Sequence, residues 1–195
     1  MSAETSATAG GATGAKGALD PIEPTAAQRT HARRVAEAKA TIPDFQVSIA
    51  ADLAGVSLGA VAAAAGRALK AHANVNGAYA DAKFQHYTRA NVGVVLEGAV
   101  PVVVDADAKD AEAIAAELDA AAEQVAAGTL PGAAQSGSTF TVARVEGVSA
   151  WTAIIQPGHA AALAVGDGAL TLSADARIVA PAEAGAFLRA VADAL

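Results

Sequence analysis

From Ser138 to Ser173 four short apolar runs follow one another with little more than turns between them. They are Ser138–Val142, Thr152–Ile155, Ala160–Val165 and Ala169–Ser173. Runs of this length, bounded by Gly, Ser and Pro, read as strands. Consecutive strands with no helix between them do not build a doubly wound parallel sheet. Two further branched runs, Val92–Leu96 and Val100–Val104, are separated only by Glu97, Gly98 and Ala99. The stretch 45–51 alternates large apolar with small or polar residues, the pattern of a strand with one buried face.

Helical periodicity is confined to four segments. Thr25 can cap a helix running towards Ala40, which Ile42 and Pro43 then break. Ser57 can cap a second, in which Leu58, Val61, Ala65 and Leu69 make one apolar stripe. The segment Asp107–Ala127 keeps Ala111, Ile114, Leu118, Ala122 and Val125 at helical spacing and stops at Gly128, with Pro131 beyond. Pro181 opens a last helix through Phe187, Val191 and Leu195. Asn74–Ala90 reads as a polar connection with a hairpin around Asp81 and Ala82. Strands and helices mixed in this way predict an α+β sandwich of a mixed sheet and helices.

The chain is 53% hydrophobic but only 4% aromatic, so that core must be built from Ala, Val, Leu and Ile. Residues 1–24, rich in Ala, Gly, Ser and Thr and ending at Pro21 and Pro24, are expected to form a flexible tail before one domain over 25–195. The absence of Cys excludes disulfides, thiolate metal sites and cysteine nucleophiles. A net charge of -7 argues against nucleic acid and anionic membranes as partners. No apolar run has the length of a membrane span, and the first residues lack a signal-peptide pattern, so a cytoplasmic protein is expected.

The stretch Thr171-Leu-Ser-Ala-Asp-Ala-Arg-Ile-Val-Ala-Pro181 resembles the end of the catalytic domain of dihydrolipoamide acyltransferases, the core subunits of 2-oxoacid dehydrogenase complexes. That family carries Asp-His-Arg-x-x-Asp-Gly there. The resemblance runs in register from about residue 25 to 195. It includes the helix and stop at Ala32–Pro43, the helix end at Ala68–Asn76, and the Val92–Asp107 segment. Gly128–Val142, with its Thr-Phe-Thr-Val end, and Ala153–Gly166 complete it. It implies a chloramphenicol acetyltransferase-like fold, a trimer, and acyl transfer between coenzyme A and a dihydrolipoyl thiol. In such a reaction a His serves as base, a hydroxyl meets the oxyanion, and an Asp or Asn supports the site.

Carried over residue by residue, the base falls on Ala176, the supporting acid on Ala180 and the hydroxyl on Ala143. A methyl group neither takes nor gives a proton, so no catalytic residues are expected at these positions. Two further departures stand out. Only Gly166–Thr171 lies between Val165 and Leu172, where the family has a longer excursion, and the chain stops at Leu195 without the family's apolar tail. The tail's absence favours a free trimer over a cage.

The resulting expectation is a non-catalytic homologue of the acyltransferase core, acting as an assembly, scaffold or regulatory subunit. Its expected partners are its own copies, an active acyltransferase or other 2-oxoacid dehydrogenase subunits. It requires no cofactor and no metal. One alternative is an active acyltransferase with a relocated base, for which His159 is the best of four histidines. Another is a module that keeps coenzyme A as a ligand. His159 reads as an edge residue at a strand entrance, His72 as a helix C-terminal residue interacting with the dipole, and His31 and His86 as solvated. Ser136, Gly137 and Ser138 read as a plain turn, and Trp151 as packing or interface material.

Overall fold

The computed structural model describes residue 17 and residues 20–195. Most of the expected tail over 1–24 therefore lies outside the described residues. The chain divides into two units, Met1–Arg33 and Arg34–Leu195. In the first, helix α1 (Ala26–Thr41) begins with a reciprocal cap. The Gln28 N–H donates to Thr25 Oγ1 at 3.2 Å and the Thr25 N–H donates to Gln28 Oε1 at 2.8 Å. This capping box satisfies two groups that a helix start leaves open.

The second unit continues through β1 (Asp44–Ala50), α2 (Leu58–Ala71), β2 (Gly77–Ala80), β3 (Lys83–His86), β4 (Val92–Val94) and β5 (Val102–Val103). It then runs through α3 (Ala111–Ala126), β6 (Phe140–Arg144), β7 (Ala161–Val165), β8 (Ala169–Asp175) and α4 (Pro181–Ala192). Six strands form one sheet in the order β1-β8-β7-β6-β4-β5, while β2 and β3 make a separate hairpin. The β4/β6 and β6/β7 pairs are parallel and the other pairs are antiparallel. The predicted α+β architecture with a mixed sheet is therefore present. No helix among the described residues is long and apolar enough to cross a membrane.

Two expected elements differ. Thr152–Ile155 is not a strand. Both edges of β7 are already taken by β6 and β8, so this run has no ladder to join. It lies over the sheet instead, with Ala153 and Ile155 buried against Ala162 and Ala164. The long helix starts at Ala111 rather than Asp107, because Asp110 is the residue that caps it, its Oδ1 accepting from the Ala113 N–H at 2.7 Å. Ala106–Ala108 form a separate 3-10 turn.

Alternation along the central strands gives the sheet two unlike faces. Phe140, Val142, Leu163, Val165, Leu170, Leu172 and Ala174 enter the main core with α2 and α4. There the Phe140 and Phe187 rings meet edge to face, 5.4 Å between centroids. The opposite face carries Thr141, Ala143, Ala162, Ala164, Thr171, Ser173 and Asp175, all small or polar and all buried. Its hydroxyls are satisfied locally: Ser173 donates to the Ala153 carbonyl at 2.6 Å, and Ser48 and Thr171 share a bond of 2.8 Å.

Helix α2 lies at the centre of the helical layer, with Val61–Ala65, Ala68 and Leu69 all buried. Its Ser57 cap accepts from the Ala60 N–H at 3.1 Å, as expected. Two glycines set how closely its neighbours approach. A Cβ at Gly66 would stand 2.6 Å from the Ala106 carbonyl carbon, and one at Gly59 would stand 2.6 Å from the Ala111 oxygen. Gly66→Ala would add about 1 kcal/mol of helix propensity. The overlap is with backbone that cannot swing aside, so a net destabilisation of about 1–3 kcal/mol is expected. Urea denaturation checks this: the midpoint should fall, and an unchanged or higher midpoint would contradict the close approach.

Candidate functional site

The turn after β8 is built around a clasp. Asp175, the last residue of the strand, is 1% exposed, and burial of an isolated carboxylate would be costly. Arg177 meets it with a forked bond, Nε to Oδ1 at 2.9 Å and Nη2 to Oδ2 at 2.6 Å, and the Arg177 N–H also reaches Oδ1 at 2.9 Å. The Asp175 carboxylate raises the Arg177 pKa above its ordinary value. The guanidinium carbon lies 4.6 Å from the centre of the Tyr79 ring on the β2–β3 hairpin, a cation–π contact. The Asp175 carbonyl accepts from Val179 and the Ala176 N–H donates to the Pro43 carbonyl, both at 2.9 Å. Between these fixed points Ala176 and Ala180 are exposed methyl groups.

Ala143 lies elsewhere. It is buried on β6, level with Ala164 on β7 and Thr171 on β8. The Ala176 end of β8 is level with the start of β6, since Asp175 donates its N–H to the Ala160 carbonyl. Five residues along a strand and two strand spacings across the sheet separate Ala143 from Ala176 by roughly 19 Å. One chain therefore brings Ala176 and Ala180 into a single turn but leaves Ala143 apart from them.

His159 is next to Ala176 in strand register, yet it is not the edge residue expected. Its ring is 6% exposed. Its Nε2–H donates to the Ser138 carbonyl at 2.9 Å, with the Ser138 hydroxyl also within 3.2 Å, and the Thr141 hydroxyl donates to Nδ1 at 3.2 Å. Reversing the tautomer would set an unprotonated Nε2 against the carbonyl oxygen, so a Ser138–His159 nucleophile pair is disfavoured. Both ring nitrogens of His159 are thus engaged in the core.

Burial lowers the His159 pKa below 6.5, partly opposed by the bond to Ser138. In the unfolded chain the imidazole takes its proton as pH falls through about 6.5, while the folded chain does not until lower pH. Its contribution to stability is complete above that value and declines below it, by at most about 1.4 kcal/mol per pH unit. His159→Gln should flatten this part of the stability–pH curve, which chemical denaturation between pH 5 and 7, about the range of histidine titration, would read.

Ala180 is the N-cap residue of α4 and makes no side-chain capping bond; Pro181 follows it in the first turn. The position assigned to a supporting acid is thus also a capping position, where Asp, Asn, Ser or Thr is preferred. Ala180→Asp should stabilise the protein by about 1 kcal/mol. Thermal unfolding with no increase in midpoint would show that the turn cannot offer an oxygen to the helix.

The remaining candidates fall as follows. His72 is the C-cap of α2, as its position predicts, and its ring stands edge-on to Phe187, 5.7 Å between centroids. His31 is exposed. Trp151 packs against the Ala162 and Ala164 face, and its Nε1–H donates to the Val165 carbonyl at 3.0 Å. Gly137, at a φ of 84°, makes the turn read at Ser136–Ser138. No group of three His, Cys, Asp or Glu among the described residues is placed to hold a metal. His86 is exposed as expected, but sequence reasoning missed its bond to Asn74. Asn74 and Glu183, the other members of that cluster, are 109 residues apart, so no local spacing signals it.

The fold built on this central mixed sheet is what the chain shares with known proteins. The family model for the 2-oxoacid dehydrogenases acyltransferase (catalytic domain) matches residues 56–169, more than half of the sequence, and the chain belongs to this family. No curated protein matches it. Among solved structures it is similar to a probable dihydrolipoamide acetyltransferase from Listeria monocytogenes, with a TM-score of 0.84, 24% identity, and coverage of 90% of this chain and 94% of that one. A truncated catalytic core of the 2-oxoacid dehydrogenase multienzyme complex from Thermoplasma acidophilum gives 0.83 and 23%, covering 90% and 97%. The Azotobacter vinelandii dihydrolipoamide acetyltransferase gives 0.83 and 20%, covering 91% of each chain. In that protein a serine, a histidine and an asparagine were investigated for their role in the catalytic mechanism. A chloramphenicol acetyltransferase shares the fold more distantly, at 0.50 and 10%, covering 84% and 94%. At such identities these likenesses establish the fold.

Proposed function

We propose that this protein is a core-type subunit of a 2-oxoacid dehydrogenase assembly that does not run acyl transfer with the family's own groups. The observation that carries the reading is the occupancy of the three family positions by Ala143, Ala176 and Ala180, in a fold that is otherwise intact. Loss of a general base costs about 100- to 10,000-fold, and loss of an oxyanion donor about 100- to 1,000-fold. His159 supplies no substitute, because its ring nitrogens are engaged in the core.

The separation of Ala143 from Ala176 supports an oligomer. In a fold that sets these positions roughly 19 Å apart in one chain, a complete site needs contributions from two chains. Interfaces of that kind survive the loss of chemistry, because they depend on shape and apolar area rather than on one imidazole. The proposed partners are two further copies of this chain, in a trimer, and other subunits of the complex. No cofactor is required for this role, and the proposed location is the cytoplasm.

Two measurements test the proposal. With acetyl-coenzyme A and dihydrolipoamide, product should form no faster than in buffer. Ala176→His combined with Ala143→Ser and Ala180→Asp should raise the rate by ~100-fold or more. Native mass spectrometry should give three chains or a multiple of three. Rapid exchange by the unaltered protein would overturn the non-catalytic role, and a monomer would overturn the assembly role.

A further inference from the structure

Asn74, His86 and Glu183 form a hydrogen-bonded relay that uses none of the three alanine positions. A carboxylate only accepts, and Asn74 Nδ2 donates to Glu183 Oε2 at 2.9 Å. That bond fixes the Asn74 amide so that its Oδ1 is the acceptor for the Nε2–H of His86, also at 2.9 Å. With Nε2 protonated, His86 Nδ1 carries the lone pair. His86 is exposed, whereas Asn74 and Glu183 are half-buried behind it. A base held by an amide that is itself held by a carboxylate is the arrangement that orients an imidazole for proton transfer.

The relay also stands beside the turn after β8. Glu183 is in the first turn of α4, just after Ala180. His86 pairs with Gly77, and Tyr79 pairs with Phe84, so the two pairs share one face of the hairpin. Arg177 of the clasp covers the Tyr79 ring. Tyr87 donates its hydroxyl to the Gly158 carbonyl at 2.7 Å, which ties the hairpin to the entrance of β7. Phe84 is 59% exposed with its ring 5.9 Å from that of Tyr79, so apolar surface lies on the face that carries the imidazole. Gly77 lets the two hairpin backbones come close beside His86: a Cβ there would stand 2.6 Å from the Gln85 carbonyl oxygen.

We infer that His86 is the proton acceptor of an acyl-hydrolysing site for activated esters or thioesters, with Asn74 and Glu183 as its positioning residues. The reaction is distinct from exchange between thiols. His86 Nδ1 takes a proton from water as the water oxygen bonds to the acyl carbon. The tetrahedral intermediate then breaks its C–S or C–O bond, and the departing thiolate or alkoxide takes the proton back from the imidazolium. A carboxylic acid and a thiol or alcohol leave, and nothing is oxidised or reduced.

The test is hydrolysis of acetyl-coenzyme A and of p-nitrophenyl acetate by the full chain. His86→Ala should lower kcat by ~100-fold, the lower end for a general base, and free imidazole should restore part of the loss. Asn74→Ala should lower kcat with little change in KM, and Glu183→Gln should do so less. Circular dichroism and native mass would confirm that the variants keep the fold. Turnover of only one substrate assigns the site to that class. His86→Ala turning over at the full rate, or an unaltered protein no faster than buffer, would overturn the inference. Acetyl-coenzyme A and dihydrolipoamide exchange is read separately. Exchange indifferent to His86 would count against the non-catalytic proposal alone, and missing hydrolysis against this one alone.

Discussion

The close approach of α2 to its neighbours is the constraint on which the rest of the fold depends. With few aromatic side chains to fill space, the core can reach native packing density only if backbones come near one another. Gly59 and Gly66 allow this on one side of α2, against α3 and the 3-10 turn at Ala106–Ala108. On its other sides α2 packs on β4, β6 and α4. The same 3-10 turn follows β5 and leads to α3, so the glycine contacts also set where the edge of the sheet ends. A core of this kind trades side-chain volume for backbone proximity, and it tolerates added methylenes poorly.

The motif after β8 separates two demands that one short sequence ordinarily meets together. Asp175 and Arg177 hold the end of the strand, neutralise a buried carboxylate and anchor the β2–β3 hairpin through Tyr79. Those tasks concern folding, and their residues are present. Positions 176 and 180 face solvent, so replacing a polar group by a methyl group there leaves no buried donor or acceptor unpaired. The residues that hold the architecture of this turn are thus distinct from its exposed positions. At Ala143 the neighbours are Ala162 and Ala164 on a face of small residues, and a methyl group is compatible with that packing too.

Much of the fold was legible because its signals are local. The caps at Thr25 and Ser57, the break at Pro43, the hairpin turn at Asp81 and Ala82 and the strand runs around β6, β7 and β8 all lie where periodicity and turn chemistry place them. What escaped was decided by tertiary competition. Thr152–Ile155 has the composition of a strand but finds both neighbouring ladders occupied. Asp107 and Asp110 are both able to begin a helix, but Asp107 lies inside the 3-10 turn, and the extended backbone at Lys109 and Asp110 makes the later one the cap. At the site, the positions of Ala143, Ala176 and Ala180 were assigned from the family resemblance. The burial of His159 and the ordering of His86 by Asn74 depend on contacts between distant segments, which no spacing rule encodes.

The bare start of α4 has a consequence for motion. Its Ala182 and Glu183 amides receive no oxygen from residue 180, while the helix is held further along by Phe187 and Leu188 in the core. Local opening with the smallest free-energy cost should therefore begin at this end and spread back into the 176–180 turn before the sheet is disturbed. Amide protons of that turn would exchange with deuterium ahead of those in β7 and β8, giving the remains of the motif a clock of their own.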